Sequence, residues 1–279
     1  MSSASRPARW GVFEKEADLK PQSSIYWLHQ QRDEDPAAFD TAVHEVCETY
    51  RQAPKRHKQG IHTVSIDEKT GMQALERLHP TREMKPGLIE RWEYEYARHG
   101  TLTLIANFDV ATGRVIAPTL GPTRTEDDFA RHLAMTLDTD PEAPWIFVAD
   151  QLNIHKSESV VRLIAERCDL DVDLGVKGQS GIVPSMATRA AFLQQTDHRI
   201  RFVFTPKHTS WLNQVEIWFS ILARRLLKRA SFTSVDDLQK RVLAFIEYFH
   251  TTLAKPFQSL GSDSSKLASA FSRVLLSLT

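Results

Sequence analysis

The sequence has little of several features that would classify it at once. Its 279 residues contain only two cysteines, Cys47 and Cys168, and neither belongs to a C-x-x-C pair, which argues against a disulfide framework or a zinc module. No apolar run approaches the ~18 to 20 residues of a membrane span, and the first residues lack the apolar stretch of a signal peptide. We therefore expect a soluble, cytoplasmic protein that has no membrane partner.

Net charge of one sign is also missing. The 35 basic and 35 acidic side chains cancel, so the whole chain lacks the positive excess that identifies many nucleic-acid-binding proteins. A DNA surface would have to be a local patch, and the basic clusters in residues 51–58 and 224–229 are candidates. A solvated face is the alternative for each cluster. The chain does have 42% hydrophobic residues, which is ample for a folded core.

Apolar periodicity predicts alternating strands and helices after about residue 36. Strands are expected in residues 61–67, 91–97, 101–120, 143–150 and 199–204, with a hairpin turn at 109–113; helices are expected in residues 40–50, 125–139, 158–168, 206–229 and 235–250. Thr125, Ser157 and Ser234 are the expected N-caps, and Asp237 would complete a capping box with Ser234. This order predicts an α/β fold, with one mixed sheet flanked by helices on both faces.

Three acidic residues stand at unusual places in this pattern. Asp67 and Asp150 each follow an apolar strand, at the rim where ligands of open α/β sheets bind, although Asp also ends strands by bonding nearby backbone amides. Glu216 stands among the aromatic and aliphatic residues of a helix that must pack on the sheet. Burying that charge without a partner is costly. Either a salt bridge or a cation shared with the two aspartates would explain it.

The shared-cation alternative points to phosphodiester chemistry. Oxygen ligands without cysteine or clustered histidine favour Mg²⁺ or Mn²⁺ over zinc. Two such ions ~3.5 to 4 Å apart activate an attacking water and stabilise the leaving oxygen. The residues alone therefore predict a candidate metal site at Asp67, Asp150 and Glu216.

Three segments, "SIDEKTG", "VADQLNIHKS" and "TPKHTSWLNQVEIWFSIL", in this order resemble the catalytic core of bacterial insertion-sequence transposases of the IS six-thirty family, which are related to the mariner elements. The resemblance implies a DDE active site on a ribonuclease H-like fold, with Asp67, Asp150 and Glu216 as the catalytic, metal-binding triad for two Mg²⁺ ions, which Mn²⁺ would replace. It also implies cleavage of DNA at the element's terminal inverted repeats and joining of the 3′ hydroxyls to target DNA. A homodimer on DNA in the bacterial nucleoid is the corresponding assembly.

Further residues receive weaker roles from the same segments. The resemblance gives Asn153 and His155 a supporting role in positioning the scissile phosphate or water. The expected DNA-binding residues come from the loop before the catalytic helix and from the basic cluster after it: Lys207, His208, Asn213, Arg224, Arg225 and Lys228. Trp211, in the same loop, is either a core residue or a platform for a base.

The chain departs from the family pattern in three places. An insertion at about 169–198 lengthens the spacing between Asp150 and Glu216, and it either contacts DNA through Lys177 or forms a solvated loop. Residues 1–35 resemble only the end of a helix-turn-helix region, residues 36–260 would be the catalytic domain, and residues 261–279 match nothing in the family. These departures leave an alternative function, a DNA-binding remnant of a transposase that is inactive or does not recognise element ends.

Overall fold

The computed structural model describes residues 35–91 and 93–257. The expected helix-turn-helix remnant, except for Asp35, and the tail at 261–279 lie outside the described residues. The helices are α1 (Pro36–His57), α2 (Glu126–Leu137), α3 (Glu158–Arg167), α4 (Met186–Leu193), α5 (Gln214–Leu222) and α6 (Val235–Thr252). The strands are β1 (His62–Arg77), β2 (Tyr96–Asp109), β3 (Val115–Gly121), β4 (Trp145–Ala149), β5 (Gly175–Val176), β6 (Ser180–Gly181) and β7 (Ile200–Phe204).

Five of the strands form one mixed sheet with the order β3-β2-β1-β4-β7. The pairs β1–β2 and β2–β3 are antiparallel, whereas β4 runs parallel to both β1 and β7. β4 is buried along its whole length, as expected for a strand covered on both faces. The predicted α/β fold class, with a mixed sheet flanked by helices, is confirmed.

Helices cover both faces of this sheet and form three apolar clusters. On one face α2, α3 and α4 pack on the central strands, with Phe129 and Phe147 fully buried between them. On the other face α5 and α6 cover the antiparallel half, where Trp218 is fully buried, and α1 covers β4 and β7. Within the described ranges, no helix is long and apolar enough to cross a membrane.

The predicted N-caps are present, with one difference. Thr125 and Asp128 form a complete capping box, and Ser157 accepts from the N–H of the residue three positions on. Ser234 also caps its helix, but the Asp237 carboxylate accepts from the N–H of Thr233, the residue before the cap. The expected box at α6 is therefore incomplete, because this carboxylate bonds one residue upstream.

Five predicted segments differ from the structure. The helix expected in residues 40–50 extends over Pro36–His57. β1 continues ten residues past Asp67 because it pairs with β2 along an extended antiparallel ribbon, and only Tyr96 and Ala97 of the predicted strand at 91–97 belong to β2. The insertion contains the small β5–β6 hairpin and α4, whose Phe192 joins the core, so it is not merely a loop. The long helix expected in 206–229 is divided into a 3-10 turn, α5 and a π-helical turn, Ala223–Leu227.

Candidate active site

Asp67 and Asp150 come from neighbouring parallel strands. β1 pairs with β4 from His62 to Ser65, so Asp67 lies just beyond the last pair, while Asp150 directly follows β4. Because parallel strands point the same way, both carboxylates reach the same rim of the sheet. Asp67 does not end its strand as predicted, but it does mark the end of the parallel pairing.

Glu216 is brought to this rim by the way α5 begins. The first N–H groups of a helix need partners from outside the helix. Here the N–H of Val215 donates to Ser65 Oγ at 2.8 Å, and that of Gln214 to the Tyr50 hydroxyl at 3.4 Å. The first bond fixes the start of α5 to β1, two residues before Asp67, and the second fixes it to α1. Glu216 consequently stands in the first turn of α5, where the helix dipole favours a negative charge.

Asn213 connects the same helix start to Asp67. Its side-chain N–H₂ donates to the Ile66 carbonyl at 3.0 Å and to Asp67 Oδ2 at 3.3 Å, while its oxygen accepts from Ser65 Oγ. The side chain is fully buried. It was expected to contact DNA, but its polar atoms are used inside the protein to orient Asp67.

Burial and mutual repulsion perturb the acids at this rim. Burial, followed by the negative charges of Asp150, Glu68 and Glu216, raises the pKa of Asp67 to about 8. Burial also raises the pKa of Glu216; Lys69 opposes this change and Asp150 adds to it. Closely spaced carboxylates that resist ionisation together are typical of sites that hold a proton or a cation.

Asp150 differs because His155 compensates its charge. Burial by itself would raise the pKa of Asp150, but the hydrogen bond and positive charge of His155, together with the Leu152 N–H and the charge of Lys156, outweigh burial and lower it. His155 Nδ1 lies 2.8 Å from Asp150 Oδ1, and Nε2 lies 2.9 Å from Glu68 Oε1. Burial opposes protonation of His155, yet these two carboxylates raise its pKa to about 10. The ring is fully buried, so in this position it does not reach the solvent side of the loop.

The other predicted residues lie in the segments that follow Asp150, precede α5 and follow α5. Asn153 is exposed in a short 3-10 helix after Asp150. Lys207 and His208 are exposed in the loop before α5, and His208 has a left-handed backbone, φ 61°. The basic cluster after α5 is divided: Arg224 and Arg225 line a groove against α6, whereas Lys228 lines another groove.

The donor set fits a hard divalent cation. Asp67, Glu68 and His155 each place one potential ligand atom so that all lie within 4.8 Å of one another, and Asp150 and Glu216 are close enough to shift the pKa of Asp67. Carboxylate oxygens are the ligands that Mg²⁺ and Mn²⁺ prefer. Sequence reasoning missed Glu68. The signal was present in "SIDEKTG", as the acid that follows Asp67.

Comparison with known proteins identifies the family. A family model described as DDE superfamily endonuclease matches residues 62–239, well over half of the 279 residues. The chain belongs to the DDE superfamily of endonucleases. The matched range of this DDE endonuclease contains all five strands of the main sheet and the three predicted triad residues.

Solved structures similar to this DDE endonuclease include several of the Mos1 mariner transposase. The paired end complex with Mn is 15% identical over 97% of this chain and 71% of that chain, with a TM-score of 0.45. The Mos1 catalytic domain is 12% identical over 92% of this chain and 98% of that chain, with a TM-score of 0.43. The same catalytic domain with raltegravir and Mg is 13% identical over 85% and 95%, with a TM-score of 0.41. No curated protein matches the chain.

Proposed function

We propose that this DDE endonuclease is a bacterial transposase of the IS six-thirty type, which cuts DNA at element ends and joins the freed 3′ hydroxyls to target DNA. The observation that carries the proposal is the electrostatic coupling of three acids from three separate elements. Asp67, Asp150 and Glu216 come from β1, the end of β4 and α5, and each perturbs the ionisation of another. Coupled, partly buried acids are an arrangement suited to cation-dependent phosphodiester chemistry.

In this proposal Asp67, Asp150 and Glu216 hold two Mg²⁺ ions, or Mn²⁺ in their place. Bound there, such ions would supply Lewis-acid activation of the attacking oxygen and stabilisation of the leaving oxygen. The protein keeps its carboxylates in place before DNA arrives: Asn213 orients Asp67, and Lys69 offsets part of the negative charge at Glu216. This rigidity supports catalysis because displacing a reacting group by about 1 Å can lower the rate about 100-fold.

The DNA path is proposed to follow the two grooves beside α5. Lys69, which acts on Glu216, lines the same groove as Lys228 and the exposed Tyr94, so one side chain of this groove is near the acids. A cation beside an aromatic ring suits a DNA strand, whose phosphates and bases they contact respectively. Arg224 and Arg225 in the other groove supply further phosphate contacts.

The partners in this proposal are the terminal inverted repeats of the element and a target duplex. Because two element ends must be processed together, we propose that the active assembly on DNA is a homodimer, in the bacterial nucleoid. Asn153, Lys207 and His208 are exposed in the segments that follow Asp150 and precede α5. We assign them to phosphate positioning in that assembly.

A plasmid-nicking assay tests this proposal. Purified wild type and Glu216→Gln are incubated with supercoiled plasmid in Mn²⁺, Mg²⁺ or EDTA, and nicked and linear products are quantified. The matched control is Glu166→Gln, the same change at an exposed position on α3. We expect metal-dependent nicking by the wild type and the control, and loss of at least 100-fold in Glu216→Gln, because a ligand to the reacting centre is removed.

Two outcomes contradict the proposal. If Glu216→Gln nicks like the wild type, Glu216 is not a catalytic ligand. If the folded wild type remains inert with every metal but still retards DNA in a gel, a DNA-binding role without cleavage replaces the proposed activity.

A further inference from the structure

Glu68 is an acidic residue that is buried on the far side of the strand from Asp67. Neighbouring residues of a strand point to opposite faces of the sheet, so Asp67 faces α5 whereas Glu68 faces α2 with Val64 and Ile66. None of the Glu68 side chain is exposed. Its Oε2 atom accepts no hydrogen bond from any described residue, and the Arg124 guanidinium lies 3.9 Å from it.

His155 joins Glu68 to Asp150. The ring uses both nitrogens, Nδ1 toward Asp150 Oδ1 at 2.8 Å and Nε2 toward Glu68 Oε1 at 2.9 Å. A histidine ring can donate to two carboxylates only when both nitrogens carry hydrogen. The Phe129 ring, whose centroid lies 4.6 Å from that of His155, packs against the imidazole and limits its rotation.

The consequence appears at Asp150. Its Oδ1 atom is in ionic contact with His155 Nδ1 at 2.8 Å and accepts a hydrogen bond from the Leu152 N–H at 2.8 Å. The same Nδ1 atom also lies 3.3 Å from the main-chain carbonyl oxygen of Asp150. With one oxygen held from two directions, the carboxylate cannot rotate about its bond without breaking both contacts. Oδ2, which accepts no hydrogen bond within the described ranges, is the atom left to bind a cation.

We propose that Glu68 and His155 are positioning residues, which fix the Asp150 carboxylate so that its Oδ2 atom coordinates a divalent metal ion. This inference rests on the proposed function, in which Asp150 is a metal ligand. Hydrogen-bonding partners of ligating carboxylates commonly change metal affinity or activity by about 10- to 100-fold when they are removed.

A competing arrangement uses the same residues differently. Asp67, Glu68 and His155 have ligand atoms within 4.8 Å of one another, so they could in principle bind a metal directly. However, an imidazole that donates from both nitrogens has no lone pair in the ring plane to offer a metal. The experiment below distinguishes the two roles of Glu68.

The experiment compares two substitutions of Glu68. Glu68→Met removes the acceptor for His155 and keeps a side chain of similar length, whereas Glu68→Gln keeps an acceptor oxygen. The matched control is Glu76→Met, the same change in another Glu–His pair, in which Glu76 on β1 lies 2.7 Å from the partly exposed His99 on β2. Mn²⁺ affinity is measured without DNA, from the electron paramagnetic resonance signal of free Mn²⁺, and nicking is measured in parallel.

We expect Glu68→Met to bind Mn²⁺ about 10- to 100-fold more weakly and to nick at a correspondingly higher Mn²⁺ concentration. Glu68→Gln should restore most of the lost affinity, and Glu76→Met should bind as the wild type does. The melting temperature of each metal-free variant separates a loss of metal affinity from a loss of folding. If Glu68→Met does not fold, Glu68→Ala provides the same comparison.

Each other result overturns the inference in a recognisable way. If folded Glu68→Met, or Glu68→Ala in its place, binds Mn²⁺ as tightly as the wild type does, Glu68 does not position Asp150. Equal loss in Glu68→Gln and Glu68→Met shows that Glu68 is itself a metal ligand. A wild type that binds no Mn²⁺ contradicts the proposed function, and the positioning role fails with it.

Discussion

The Asp67→Asn substitution should make the metal-free protein more stable at alkaline pH while removing its activity. Burial and three neighbouring acids raise the pKa of Asp67 from its ordinary value of 3.8 to about 8. Between pH 3.8 and about 8, Asp67 keeps its proton in the folded protein and loses it in the unfolded chain. The stability associated with this group is therefore greatest below the unfolded pKa and declines as the pH rises, until it levels off above pH 8.

The slope of this decline follows from one proton. A single-proton difference changes the free energy of unfolding by about 1.4 kcal/mol per pH unit, so the contribution across the whole interval is on the order of 5 kcal/mol. Asparagine has nearly the same shape and cannot ionise. Between pH 5 and 8, we therefore expect the wild type to lose about 1.4 kcal/mol per pH unit relative to Asp67→Asn.

The measurement is urea denaturation of both proteins in EDTA at a series of pH values. Asp171→Asn, the same change at an exposed residue of the insertion, is the control and should parallel the wild type. Adding Mn²⁺ should raise the wild-type midpoint most at pH 8, where the ion replaces the proton, and should stabilise Asp67→Asn much less. Parallel pH profiles for the wild type and Asp67→Asn in EDTA would refute the assignment of Asp67 to a site of concentrated negative charge.

Two other substitutions test neighbouring parts of the fold. Burial lowers the pKa of His132 to about 3, so its neutral ring contributes fully to the free energy of unfolding above the unfolded pKa of 6.5, and this contribution is lost as the pH falls. Between pH 4 and 6 the wild type should lose about 1.4 kcal/mol per pH unit relative to His132→Gln, which has no ring to protonate. Urea denaturation at a series of pH values should show this difference, whereas His79→Gln, the same change at an exposed position, should keep the pH dependence of the wild type. Asn213→Ala should lower the free energy of unfolding by about 1–3 kcal/mol, because the Ile66 carbonyl loses its buried side-chain donor, and should slow nicking at saturating Mn²⁺. An unchanged urea midpoint would contradict the buried hydrogen bonds of Asn213.

Local sequence patterns were sufficient to predict the strands and helices that carry the candidate triad. The apolar run before Asp150 predicted β4, because a strand buried on both faces needs an uninterrupted apolar sequence. Thr125 and Ser157 were recognisable as caps because a short polar side chain before an apolar period satisfies the first N–H groups of a helix. These signals act over three or four residues and need no knowledge of the tertiary fold.

The extent of β1 could not be read in the same way. After Asp67 the sequence becomes polar, which indicated that the strand ends, but pairing with β2 continues to Arg77. Beyond Lys69 only Met72 and Ala74 of this strand are buried, in the cluster under α5 and α6, and two alternating positions after Thr70 and Gly71 are too short a pattern to predict a strand. The helix within the insertion was missed because Gly175, Gly178 and Gly181, all with positive φ, dominate the sequence before it.

The role of Asn213 and the burial of His155 depend on tertiary contacts. Asn213 is 146 residues from Asp67 along the chain, and His155 is 87 residues from Glu68. A polar residue in a loop usually indicates solvent or a ligand, and both side chains were interpreted in that way. They are inside because each satisfies buried polar groups, and a single sequence does not reveal which partners those will be.

The pairing of β1 with β2 limits where this chain can gain or lose residues during evolution. From Val64 to Lys69 the register is continuous, and the first irregularity comes only between Lys69 and Met72. One residue inserted before Asp67 would turn every later side chain of the strand to the opposite face, so that Asp67 would take the position of Glu68, and Glu68 that of Lys69. The same limit applies to Met72 and Ala74, which are buried in the core. Length differences among relatives should therefore concentrate in residues 78–95, between the end of β1 and the start of β2.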